Sequence, residues 1–437
     1  MSPRKRQTRE PPPPSFLPLL KLPNELQIMI ASVLPVKDIA SLVLGNRHLH
    51  ELLTPKLYSL GCNLVDDIKK ETPLHWAAAQ PDRLVVAERL LSRGADIEGK
   101  TERRLTALHI AAEAGNEDCC ELLLEHGADI SAPSVTKVTP LHYAAGSNQA
   151  DVVDLFLRNG APLLPSERNH TPIHRAVRAC ALDALNTFLD HDPSLIHSVA
   201  NGQSLLTYAF HVGGSKGPNP NLLTALIDAR ININHPTVQS RSALHFAAFT
   251  NQHAHLKLLL SRGGNPNLKG SYDGTPLHDA AAQGHVEIAK LLVLYGANID
   301  ARDVDNSTPL FYAVERGEDA MIRHLEREGA DVNAYDSYHM TPLSRACAQC
   351  SVHVHPDIAE TLLQLGADVA QKDIDGMVAL HHAAREGHTP IVRALLKAGA
   401  RVMVRDNHGD NPLDVAESNS RHDVVKMLRE SMGMIGA

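Results

Sequence analysis

Aromatic residues are scarce in this chain: one Trp, eight Tyr and seven Phe among 437 residues. Beside an apolar content of 43%, that scarcity fits an interior built from Ala- and Leu-rich helices. No apolar run approaches the length needed to cross a bilayer, and the basic N-terminus is not followed by the apolar stretch of a secretory signal. No membrane association is expected, and the expected location is cytoplasmic, nuclear or both. The six cysteines (62, 119, 120, 180, 347 and 350) lack the spacing of a disulfide framework, which suits reduced thiols in such a compartment. Excess positive charge is missing as well. A net charge of -8 gives no support to nucleic-acid binding as the main role. The chain contains no phosphate-binding P-loop, no Gly-x-Ser-x-Gly elbow, no His-Glu-x-x-His and no kinase signature, so no catalytic activity, cofactor or bound metal is expected.

The string Thr-Pro-Leu-His, intact or modified, returns along most of the chain. Counted from its first letter, copies begin at Thr72, Thr106, Thr139, Thr171, Ser204, Ser242, Thr275, Thr308, Thr341, Val378 and Asn411. Successive anchors lie 32 to 38 residues apart, most often 33. A fixed period of that size is the signature of a stack of small structural units, here about eleven.

One copy, Thr275 to Asp300, shows what each unit builds. Thr275 suits the N-cap of a helix, and Pro276 the first helical position, where a missing N–H costs nothing. Ala280 and Ala281 let neighbouring helices approach, and Gly284 ends the first helix. Val286, Ile288, Leu291 and Leu292 form the apolar stripe of a second helix that Gly296 stops. The Asp-, Asn- and Gly-rich residues that follow carry turn chemistry and predict a projecting finger. Such a unit cannot bury its apolar face alone, so it stacks on copies of itself as an elongated solenoid.

The TPLHxAA strings and the Gly-Ala pairs that start at Gly94, Gly127, Gly160, Gly296, Gly329, Gly366 and Gly399 resemble those of ankyrin repeats. The resemblance implies an all-α solenoid over residues 65–432, leaving a short tail at 433–437. Three departures are visible. The fourth unit has Asp192-Pro193 in place of Gly-Ala, and the fifth has extra residues from Gly213 to Asn221. The ninth is lengthened from Cys350 to Pro356, and loop insertions of this kind cost little. The last unit lacks Gly-Ala and reads as a cap.

Residues 1–20 are basic and then proline-rich, and they read as disordered. Residues 21–60 leave the repeat grammar and form three short apolar-periodic segments, read as small helices. Their opening Leu-Pro-x-Glu-Leu (Leu22 to Leu26), Leu34, the turn Val36 to Ile39 and the pair Asn46-Arg47 resemble an F-box in content and order. The resemblance implies docking through Leu22, Pro23, Leu26, Leu34, Ile39 and Leu42 onto the Skp-family adaptor of a cullin ubiquitin ligase. His48 departs from the pattern, standing where the family often has an aromatic residue. The alternative for these helices is a cap over the apolar end of the solenoid. Either way, one copy of the chain is expected within a complex.

Seven of the 26 histidines (75, 109, 142, 174, 245, 278 and 381) are the fourth letter of the repeat motif and read as structural. The family resemblance gives them hydrogen bonds to the adjoining finger. Cys347, Cys350, His353 and His355 are ligand types that zinc accepts, within nine residues of one another. Cys347, however, stands at a small-residue packing position, where a thiol behaves as a compact hydrophobe.

For a protein partner, whose identity the sequence does not give, the resemblance places contact on the fingers and first helices. The residue after the motif's fourth letter is Trp76, Tyr143, Tyr208, Phe246 or Tyr312 in five units, which suits interface anchors. Fingers of the earlier units carry Lys69, Lys70, Lys100, Arg103, Arg104, Lys137, Arg168 and Arg241. Later ones carry Asp273, Asp303, Asp305, Asp336, Asp373, Asp375, Asp406 and Asp410. That distribution predicts an electrically polarised surface whose basic part, with Lys100, Arg103 and Arg104, receives the acidic end of an extended partner.

Overall fold

The computed structural model describes residues 71–237, 240–348 and 356–433. Residues 1–20 and the F-box-like segment, with all six of its proposed adaptor contacts, lie outside the described residues. Two compact units divide the chain, Met1–Leu195 and Ile196–Ala437. The boundary falls in the irregular stretch between the fourth and fifth repeats.

The first unit contains four helix pairs among its described residues. They begin with Pro73–Ala78 and Leu84–Ser92 and end with Pro172–Ala179 and Leu182–His191. The second contains seven, from Leu205–Gly213 with Pro220–Asp228 to Pro412–Ser418 with His422–Ser431. Within each unit first helices pack on first helices and second helices on second helices. The Ala pairs of the motif lie at these contacts fully enclosed, as Ala111 and Ala112 or Ala280 and Ala281. Leucines from both helices, such as Leu108, Leu123, Leu277 and Leu292, fill the seam. The only strands among the described residues are Val199–Ala200 and Gln203–Ser204, an antiparallel pair with Val199 opposite Ser204. They replace an ordinary finger where Asp192-Pro193 removes the Gly-Ala stop.

The fifth repeat shows what its inserted residues do. Gly213 still belongs to the first helix, Gly214–Lys216 form a 3-10 turn, and Asn219 caps the second helix, which already starts at Pro220. The insertion is therefore shorter as a loop than the sequence implies. In the ninth repeat Pro356 opens the second helix, Pro356–Gln364.

The histidine of the motif is the joint between repeats. In the second repeat Nδ1 of His109 accepts the backbone N–H of Thr106 at 3.1 Å, with the Thr106 hydroxyl at 2.9 Å from the same nitrogen. An N–H that donates to Nδ1 fixes the proton on Nε2, and Nε2 of His109 then donates to the carbonyl of Val138 in the next finger at 3.1 Å. His75, His142, His245, His278 and His381 make the same link, to the carbonyls of Leu105, His170, Gly274, Ser307 and Asp410. The threonine hydroxyl thus meets the histidine ring as well as starting the helix. Burial holds these rings neutral, pushing His109, His142, His174 and His245 down to about 4.

Where the histidine is missing, other pairs close the helix start. Ser204 Oγ accepts the N–H of Thr207 at 3.3 Å. Asn411 accepts from Leu413 and Asp414 while Asp414 accepts the N–H of Asn411 at 2.9 Å. Replacing Ser204 by Ala removes a buried cap and is expected to cost about 1 kcal/mol, read as a lowered urea midpoint with an unchanged m-value.

Candidate protein-binding surface

In eight of the described fingers a tight turn is held by one side chain, five residues before the motif anchor; Gly270 stands there in the seventh repeat. The side-chain oxygen accepts the N–H four residues later. Thr101 takes Leu105, Ser134 takes Val138, Ser166 takes His170 and Thr237 takes Arg241, at 3.0 to 3.3 Å. From the eighth repeat onward the residue is aspartate. Asp303, Asp336, Asp373 and Asp406 take Ser307, Met340, Met377 and Asp410, each at 2.9 Å.

An aspartate has a second oxygen, and in three consecutive repeats it meets the residue after the motif's fourth letter, nine positions along. The Tyr312 hydroxyl donates to Asp303 at 2.7 Å, Arg345 donates to Asp336 at 2.5 Å, and Nε2 of His382 lies 2.7 Å from Asp373. Asp303, Asp336 and the Asp373 carboxylate are buried as a result. These three charges serve turn amides and an internal partner, so they add little to an acidic outer surface. Asp273 is paired with Lys269 at 2.8 Å. Asp305, Asp375 and Asp410 remain exposed. The nine-residue spacing is visible in the sequence as Asp303 with Tyr312, Asp336 with Arg345 and Asp373 with His382.

Of the five aromatic residues expected to act as anchors, four are half-buried and one is not available. Tyr208 is 4% exposed and belongs to the interior, so it leaves no face for a partner. Trp76 lies under the Arg83 guanidinium, 3.8 Å from its ring centre. Tyr143 stands edge-on to His109 at 5.5 Å, and Tyr312 to His278 at 5.3 Å. Phe246 is half-buried on Ala243–Phe249. Lys100, Arg103 and Arg104 are all exposed in one finger.

Open cavities lie between fingers and first helices among the described residues of the second unit. One of about 520 Å³ is lined by Tyr338, Met340, Arg345, Ile374, His382 and Arg385, among others. Another, of about 500 Å³, is lined by residues that include Arg241, Tyr272, Asp279 and Tyr312. In it Arg241 donates to Asp279 at 2.9 Å, yet burial lifts the Asp279 carboxyl to about 6. The rims of both carry apolar side chains that the sequence reading missed. Tyr272 is 79%, Tyr338 57% and Ile374 52% exposed. Neighbouring fingertips are joined edge to edge by Val304 N–H to Tyr272 C=O at 2.9 Å and Ile374 N–H to Tyr338 C=O at 3.1 Å. The available signal was an apolar residue inside a turn otherwise made of Asp, Asn and Gly.

Cys347 sits fully buried on Pro342–Ala348, and burial raises its thiol far above the usual range, as expected of a packing residue. Cys350, His353 and His355 lie outside the described residues.

A stack of helix pairs whose turns and first helices present half-buried aromatics, charges and apolar rims is a protein-interaction array. The chain belongs to the ankyrin-repeat family: the model of ankyrin repeats in three copies matches residues 39–134, 132–198, 206–303, 277–373 and 353–435. Among curated proteins it is similar to cyclin-dependent kinase inhibitor 2A of Monodelphis domestica, 43% identical over 74 residues, 17% of this chain and 43% of that protein. It is 42% identical over 77 residues to cyclin-dependent kinase 4 inhibitor B of Bos taurus, 17% of this chain and 59% of that protein. The chain thus spans about half the length of these relatives. A segment of 64 residues is 42% identical to the liver isoform of mitochondrial glutaminase of Rattus norvegicus, covering 11% of it. That length is about two repeats, so the likeness reports the repeat and not the amidase chemistry. Ankyrin repeats mark this chain, in general terms, as a protein-interaction protein. Among the described residues no helix is long and apolar enough to cross a membrane.

Proposed function

We propose that the chain is a substrate-recruiting subunit of a cullin-type ubiquitin ligase. The ankyrin array holds a protein to be modified, and Leu22, Pro23, Leu26, Leu34, Ile39 and Leu42 dock onto the Skp-family adaptor. The observation that carries this reading is the ordered Leu-Pro-x-Glu-Leu start, followed by Leu34 and Val-Lys-Asp-Ile, ahead of an interaction array. A cap needs only an amphipathic helix, not that order. The transfer chemistry belongs to partner enzymes, and the compartment is cytoplasmic, nuclear or both.

A second reading is a scaffold with no ubiquitin connection, whose N-terminal helices only cover the first repeat. The ankyrin family match, which already begins at residue 39, favours it. Capture of the purified adaptor by the full-length chain separates the two. The wild type is expected to retain the adaptor, and the Pro23→Ala, Leu34→Asp double variant to lose most of it. Absence of adaptor from the wild-type eluate overturns the ligase reading.

A further inference from the structure

Each unit holds some cations that meet a carboxylate and others that meet none among the described residues. In the second unit Arg241, Arg262, Lys269, Lys290, Arg323 and Arg345 each face a carboxylate within 2.9 Å. In the first, Lys100, Arg103, Arg104, Lys137 and Arg175 have no carboxylate within ion-pair distance among the described residues. The position of Arg175 is built rather than incidental.

Arg175 stands on Pro172–Ala179 at the site that Trp76 and Tyr143 occupy in other repeats, and its guanidinium lies 5.2 Å from the centre of the Tyr143 ring. Gly146 gives it passage. This glycine closes the helix Pro140–Gly146 without a positive φ, so no backbone demand explains it. A Cβ there would come within 2.8 Å of Arg175 Nε and 3.1 Å of its Cγ. Arg103 stands on the neighbouring finger, where its carbonyl accepts the N–H of Val135 at 3.1 Å and fixes the two fingertips side by side. Burial pushes the Tyr143 phenol up, Arg175 and Arg103 pull it back, and Glu113 opposes them. The phenol therefore lies in the field of both cations.

Arg104 and Lys137 hold the left-handed backbone of their turns, at φ of 58° and 56°. The same place in other fingers is Asn169, Ser240, Asp273, Asn306, His339, Gly376 or Gly409, all with the same left-handed backbone. The turn thus sets the backbone whatever residue it holds, and two consecutive fingers carry a cation there. Exposed Glu102 and Glu167 reduce the local charge without cancelling it.

We propose that Arg103, Tyr143 and Arg175 seat a carboxylate side chain of an extended acidic segment of a partner protein, and that Lys100, Arg104 and Lys137 receive its neighbouring acids. This deepens the recruiting function proposed above and rests on it. Two guanidinium groups and a hydroxyl on a half-buried site suit a planar carboxylate. Nucleic acid fits less well, because the Tyr143 ring is flanked by Arg175 and by the edge-on His109, which leaves no open aromatic platform for a base.

Fluorescence anisotropy of the full chain with three labelled probes tests this: a synthetic dodecapeptide of alternating Glu and small apolar residues, its Lys counterpart, and a single-stranded oligonucleotide of equal charge. The acidic peptide is expected to bind, more weakly as salt rises, and the others not. Arg175→Ala and Arg103→Glu should each weaken it about tenfold, with Tyr143→Phe weakening it severalfold. Gly146→Ala keeps every charge and should also weaken it, by displacing Arg175; Arg103→Glu, on an exposed finger, guards against loss of folding. Binding of the Lys peptide or the oligonucleotide instead, binding of none of the three, or equal affinity in Arg175→Ala overturns the inference. Adaptor capture by the same variants should be unaffected, so failure here is distinguishable from failure of the recruiting function.

Discussion

Acidification is expected to destabilise this protein already above the pH at which ordinary carboxylates titrate. His109, His142, His174 and His245 carry folded-state values of about 4 against 6.5 when free, so between those limits the unfolded chain binds more protons than the folded one. Stability is complete above pH 6.5 and falls as the pH drops towards 4. Each ring contributes about 3 kcal/mol of loss by the lower limit, and four together reach on the order of 10 kcal/mol, comparable with the whole stability of a typical domain. The cause is geometric as well as dielectric. Nδ1 of His109 accepts the Thr106 N–H, and a proton placed there would face another proton. Urea midpoints measured from about pH 7.5 to about pH 5 should fall steeply, and replacing His109, His142 and His245 by Gln should flatten that slope while lowering stability at neutral pH. Equal slopes for the variant and the wild type would disprove the assignment.

Asp336→Ala is expected to cost about 3 to 5 kcal/mol, far more than other finger substitutions. Its carboxylate accepts from Tyr338 N–H at 2.8 Å, Met340 N–H at 2.9 Å and Arg345 at 2.5 Å, and its side chain is fully enclosed. Removal leaves two turn amides without an acceptor and leaves Arg345 with only Glu315, at 3.5 Å. Asp336→Asn retains the turn acceptor and should lose about half as much. Combining Asp336→Ala with Arg345→Met should recover part of the loss, because the half-buried cation is then gone. If the double variant were as unstable as the single one, the turn amides alone would account for the effect. Denaturant unfolding of the four proteins, with m-values compared, decides between them.

Much of the fold was legible because each repeat solves a local problem with local residues. Thr275-Pro276 starts a helix and Gly296 ends one through preferences that hold in any context. The expectation that the motif histidine binds the adjoining finger held for six of the seven, as where His278 reaches the Ser307 carbonyl. The surface was less legible. Tyr208 and Tyr143 share a motif position, yet one is enclosed and the other half-exposed, a difference set by what packs beside them. Asp305 and Asp303 are two residues apart in one finger, yet the first faces solvent while the second is an internal turn anchor.

By itself the sequence determined the period, the helix ends, the small-residue seam and hence the ankyrin class, because those depend on backbone preferences and apolar spacing within about 33 residues. Only the tertiary structure decided which charges are free. Asp336 is silenced by Arg345 nine residues away, while Arg175 lies across Gly146 from the preceding repeat with no carboxylate partner among the described residues. Charge and exposure at one position are set by neighbours from other repeats, and stacking is what brings those neighbours into contact.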